Sequence, residues 1–128
     1  MQDEPTPHEI LGSVITFLRD DVQPQLSGYS GFQMRVAINA IELVRRELAV
    51  TPAHRMELNA MLVALLAREG STADLAAEFS RRIAERQIDP QGPAVERCLW
   101  ALTDAKIEVD QPKYAGHLRA KAMRAAAK

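Results

Sequence analysis

Residues 32–48, FQMRVAINAIELVRREL, are apolar around most of a helical circumference and carry one polar stripe at Arg35, Asn39, Glu42 and Arg46. Those four recur at steps of four, three and four, so they stack on one helical face. Phe32, Val36, Ala40 and Leu43 lie to one side of the stripe, and Met34, Ile38, Ile41, Val44 and Leu48 fill the rest. A helix this apolar needs neighbours on several sides, which makes it the expected centre of a bundle.

The remaining 128-residue chain fits that expectation. Hydrophobic residues make up 47% of it, which excludes disorder, while aromatics are only 5%, so Leu, Ile, Val, Ala and Met must build the core. Ala is frequent and β-branched runs are short, favouring helices over strands. A net charge of −1 supplies no global field for nucleic acid or a membrane surface. The lone cysteine, Cys98, excludes an internal disulfide and a cysteine-based zinc site. No apolar run approaches the roughly 20 residues of a membrane span. The opening residues are acidic and proline-containing, unlike an export leader, so a cytoplasmic protein is expected.

Punctuation marks the elements. Thr6, Pro7 and Glu9 form a capping box with a first-turn proline, leading into a stripe of Ile10, Leu11, Val14, Ile15, Leu18 and Val22. Pro24 and Ser27-Gly28-Tyr29-Ser30-Gly31 break the chain, with Ser30 the expected N-cap of the central helix. Thr51-Pro52 repeats the cap-plus-proline device and predicts a third helix carrying Leu58, Met61, Leu62, Leu65 and Leu66. Gly70 reads as its C-terminal stop, and Ser71 or Thr72 caps a fourth with Leu75, Phe79 and Ile83 inward. A fifth runs from about Ala94 towards Val109 on Val95, Leu99 and Leu102. The expected fold is all-α: a single domain over residues 1–128, a helical bundle of five to six helices with short loops, residues 113–128 forming a basic C-terminal helix or tail.

Chemistry-bearing patterns are few. Arg35 and Asn39, with Ser30 and Gly31 one turn before, could hold an anionic or amide-bearing ligand at a helix start. The same stripe reads equally as a solvated face with an i,i+4 Glu42–Arg46 pair, and Asn39, if buried, as a cross-helix hydrogen bond. No GxGxxG, Walker lysine or Gly-x-Ser-x-Gly elbow occurs. No Glu-x-x-His pair appears, and His8 and His54 fall in expected first helical turns, so neither a metal nor a cofactor is expected. Cys98 reads as a small buried hydrophobe. The C-terminal stripe Lys113, His117, Lys121, Arg124 and Lys128, with Tyr114 beside it, is the local charge anomaly, because no acidic residue follows Asp110. It is either a partner-binding surface, carried by Lys113, Tyr114, Lys121 and Arg124, or a solvated terminal helix suited to its own dipole.

Several segments together resemble an uncharacterised family of small helical domains. They are Pro5-Thr6-Pro7-His8-Glu9-Ile10-Leu11, Phe17-Leu18-Arg19-Asp20-Asp21-Val22, Leu26-Ser27-Gly28, the run from Phe32 to Ala40, and Val44-Arg45-Arg46-Glu47-Leu48. Gln111-Pro112-Lys113-Tyr114 looks like that family's closing Asn-Pro-x-Tyr element, with Gln for Asn. Such domains occur beside, sometimes fused to, aminoglycoside-phosphotransferase-like kinases and acyl-CoA dehydrogenases. The resemblance implies an accessory role in such a system and no catalytic residue to carry over; Arg35 and Asn39 match the family's central helix. The expected function is thus a non-enzymatic accessory or protein-interaction domain, docking on a partner enzyme (an acyl-CoA dehydrogenase or phosphotransferase-like kinase) or on itself as a homodimer. The alternative is a bundle that binds a small ligand, an acyl-CoA or phosphorylated metabolite, with Met34, Met56 and Met61 as lining. Neither nucleic acid nor membrane is expected as a partner.

Overall fold

The structure, a computed structural model, describes residues 4–127. It is all-α: five α-helices, with no strand among the described residues. The first, α1 (Pro7–Phe17), opens with the expected capping box. Glu9 N–H donates to Thr6 Oγ1 at 3.3 Å, and Thr6 N–H donates to the Glu9 carboxylate at 2.8 Å. It runs on through a π-helical turn (Leu18–Val22) and a 3-10 turn at Gln23–Gln25.

The second helix, α2, spans Gly28–Leu66, 39 residues, and merges two expected helices. Pro52 lies inside it rather than at a start. A proline there removes only the donor for the Leu48 carbonyl, and the helix formers on both sides, Arg45 to Ala49 and Ala53 to Glu57, carry the helix through. The proline still marks a division, since the chain separates into two compact units, Met1–Ala49 and Val50–Lys128, three residues before it. Ser30 is likewise not an N-cap: the helix begins at Gly28, and Ser30 lies in its first turn. Gly31 is buried because a side chain at that position would stand 3.2 Å from the Leu26 carbonyl oxygen.

In the first unit only Ile15 of α1 and Ile38 of α2 are nearly fully buried among the large apolar side chains. Leu11, Leu18, Val22, Met34 and Ile41 are half-buried. The expected α1 stripe therefore divides. Positions 11, 15, 18 and 22 turn inward, whereas Ile10 and Val14, one residue away from that line, face solvent together with Phe17.

The second unit holds the core. Leu58, Leu62 and Leu66 of α2, Leu75 and Phe79 of α3 (Thr72–Ala84), and Val95 and Cys98 of α4 (Pro93–Asp110) form one buried cluster. Cys98 takes the inner place expected for Leu99, because 95, 98, 102 and 109 follow the helical period inward while 99 lies one step off it. Burial pushes the Cys98 thiol upward from its ordinary pKa. Ser71 caps α3 by accepting from Asp74 N–H at 3.1 Å. Asn59 of α2 donates to both the Gly70 carbonyl and Thr72 Oγ1 at 3.1 Å, fastening that turn.

Helix ends are closed by left-handed residues that are not glycine. After α2 that residue is Ala67 (φ 52), not Gly70. After α3 it is Arg86 (φ 57), flanked by both bonds of a Schellman motif: Gln87 N–H to the Arg82 carbonyl at 2.8 Å and Arg86 N–H to the Ile83 carbonyl at 3.0 Å.

Candidate functional site

Helix α2 enters the first unit with two apolar faces. One contains Ile38, 3% exposed, with half-buried Met34 and Ile41 beside it. The other is Tyr29, Phe32, Val36, Ala40 and Leu43, recurring at steps of three, four, four and three, so that it lies across the helix from Ile38. All five are exposed, Phe32 by 53% and Val36 by 46%. Val44 and Leu48 extend this surface on the flank, and Ile10, Val14 and Phe17 of α1 are exposed in the same unit. The periodicity of residues 32–48 predicted a helix enclosed on several sides; within its unit it is covered on one.

A cleft of about 590 Å³ opens along α1, lined by His8, Gly12, Thr16, Phe17 and Asp21, with Arg45 of α2 as its cation. Arg45 Nε donates to His8 Nε2 at 3.2 Å, which leaves the ring proton of a neutral His8 on Nδ1, a buried atom without a partner among the described residues. Gly12 lets the guanidinium pass close to the α1 backbone: a side chain there would stand 3.4 Å from Arg45 Cζ. Arg19 also bridges to α2, through Glu42 at 2.8 Å, and this pairing lowers the Glu42 pKa.

The second unit carries a charged cluster joining α2, α4 and α5 (Ala115–Ala126). His117, 5% exposed, places Nδ1 3.3 Å from Asp104 Oδ1 and Nε2 3.9 Å from Glu108 Oε1. Arg124 grips Asp104 with two hydrogen bonds of 2.8 and 3.0 Å and lies 3.9 Å above the Trp100 ring. Lys121 pairs with Glu108, whose other oxygen is 2.7 Å from His54 Nε2. Burial works to raise the Glu108 pKa, but the hydrogen bonds from Lys121 and His54 outweigh it and hold the carboxyl below its usual range. Ascending positions on α5 meet descending ones on α4, so the two helices run antiparallel and the cluster staples α5 in place.

These placements locate the sequence candidates. Arg35, Asn39 and Ser30 are exposed, and the cleft of this unit is walled by Arg45 rather than Arg35. Glu42 and Arg46 do form the i,i+4 pair, at 3.6 Å. The cross-helix amide considered for Asn39 belongs instead to Asn59. Of the basic stripe, Lys113 and Tyr114 are exposed, Lys121 and Arg124 are engaged within the chain, and Lys128 lies outside the described residues. None of the three histidines is exposed, contrary to the first-turn expectation for His8 and His54. His8 contacts Arg45, and His54 sits mid-helix because α2 does not break at Pro52. The signal for the second-unit cluster was readable: Trp100, Asp104 and Glu108 share one α4 face at steps of four, complementary to His117, Lys121 and Arg124.

Among the described residues no helix is long and apolar enough to cross a membrane, and no group of three or more His, Cys, Asp or Glu is arranged to hold a metal ion. No curated protein and no solved structure matches the chain. One family model does, over residues 24–114, a span that takes in the open face of α2 and the whole core cluster but not α1 or α5. The chain belongs to that family, described as a domain of unknown function, DUF6285.

Proposed function

We propose that this chain is a non-enzymatic docking module, an accessory domain whose first unit offers its open apolar face to another protein surface. The observation that carries the reading is the stripe Tyr29, Phe32, Val36, Ala40 and Leu43, left exposed on a helix whose opposite side is packed. Exposed apolar side chains scattered singly are ordinary, whereas five in one helical register are the pattern of a helix awaiting a neighbour. The systems it would serve are those implied by the family resemblance, acyl-CoA dehydrogenases or phosphotransferase-like kinases. The test is co-purification of the full chain with a dehydrogenase or kinase encoded beside it, read by light scattering, against the Val36→Arg variant. Loss of complex with Val36→Arg supports the reading. Binding that is indifferent to this substitution, or a chain that binds neither an enzyme nor itself, defeats it.

A second reading has its own support in the cleft along α1. Arg45 and the Thr16 hydroxyl are groups that could hold a small anion such as a phosphorylated metabolite or the phosphate end of an acyl-CoA. Calorimetric titration with coenzyme A and with inorganic phosphate tests it. Heat lost on Arg45→Gln would support the site, and no heat with either ligand would dismiss it.

A further inference from the structure

We infer that the open face of α2 is closed by the same face of a second copy of this chain, the two helices running antiparallel about a two-fold axis at Val36. This deepens the docking reading above and rests on it. A two-fold pairing uses one patch twice, so the patch must complement itself. With the axis at Val36, residues equally distant on either side of it face each other. Phe32 then meets the second copy's Ala40, Tyr29 meets its Leu43, and Val36 meets itself. The bulkiest aliphatic-facing ring thus falls on the smallest side chain of the stripe, twice. A parallel pair would instead set Phe32 on Phe32 and Ala40 on Ala40, one layer overfilled and one hollow.

The flank carries a matching charge pattern. Arg35 and Glu42 lie on the same edge of the stripe, seven residues apart. Antiparallel packing brings these edges alongside in opposite directions, so each Arg35 points towards the other copy's Glu42. Glu42 has room for it: Oε1 receives Arg19 at 2.8 Å, while the Oε2 contact with Arg46 is long, at 3.6 Å. Between Tyr29 and Leu43 the face itself bears no charge.

Sedimentation velocity of the full chain over a range of concentrations, with cysteine cross-linking, tests the arrangement. The expected result is a concentration-dependent dimer. Val36→Arg, which sets two cations on the axis, should raise its dissociation constant about a hundredfold or more. Phe32→Ala should weaken the dimer and the size swap Phe32→Ala/Ala40→Phe should restore it. On oxidation Val36→Cys should link to itself, whereas Tyr29→Cys should link only when mixed with Leu43→Cys; Cys98 is buried and stays silent. Self-linking of Tyr29→Cys would mean a parallel pair and overturn the proposal. So would a monomer at every concentration, and maleimide labelling of Val36→Cys then separates the two readings. Rapid labelling shows an open face that serves a different protein, which leaves the docking reading standing. A protected thiol shows a face covered within the chain, and both fall.

Discussion

The first unit and the second build helices from similar material and finish them differently. The second spends its leucines on one another: Leu58, Leu62, Leu66 and Leu75 are buried against Phe79, Val95 and Cys98. Its charged side chains are also matched, the basic edge of α5 lying on the acidic edge of α4. In the first unit two isoleucines are buried while Phe17, Phe32, Val36, Val44 and Leu48 are exposed. The contrast shows where a partner could gain most. Burying apolar area is worth about 25 cal/mol per Å², and only the first unit leaves such area in helical register.

The largest expected difference comes from truncating a phenylalanine in each unit. Phe79→Ala should lower the unfolding free energy by about 3–5 kcal/mol, since that ring is fully buried, whereas Phe32→Ala in dilute protein should cost no more than about 0.5 kcal/mol. Urea denaturation of both variants measures this, and equal losses would erase the distinction. Next come the charges. Asp104→Ala deprives Arg124 and His117 of their acceptor in a partly buried cluster and should cost about 2 kcal/mol. Glu42→Ala breaks more exposed pairs and should cost about 0.5 kcal/mol in the same assay.

Acid should then act on the second unit. The Glu108 pKa is depressed in the folded state, so its contribution is complete above the ordinary carboxylate value and is lost as pH falls through the folded value. Thermal melts from pH 6 to pH 3 should show stability falling with pH, with a shallower slope in Glu108→Gln. An unchanged slope would exclude this carboxylate. The smallest effect is a gain: Arg86→Gly should stabilise the Schellman turn after α3 by about 1 kcal/mol, because glycine adopts φ 57 without strain. A loss instead would mean that the arginine side chain stabilises the turn.

Local signals in the sequence were legible wherever a local interaction decides the structure. The Thr6 capping box, the Ser71 cap and the inward line of Leu75, Phe79 and Ile83 each depend on residues three or four apart. Pro52 misled because a helix tolerates one missing donor when both flanks favour it, and that balance is a sum over many residues rather than a motif. Gly70 misled for a related reason, since Ala67 accepts a strained φ that sequence preference argues against. The basic stripe of α5 was visible, but its acidic counterpart on α4 is a non-local match that the reading did not pair. The all-round apolarity of residues 32–48 was read correctly as a demand for neighbours. How much of that demand the chain itself would meet depends on tertiary packing, which periodicity does not encode.

Residue-resolved hydrogen exchange on dilute protein tests the contrast most directly. Amides of residues 58–66, 75–83 and 95–109 should open only with global unfolding, while those of residues 29–48 should exchange at lower free energy and gain protection as concentration rises. Equal protection of both regions, independent of concentration, would contradict the account.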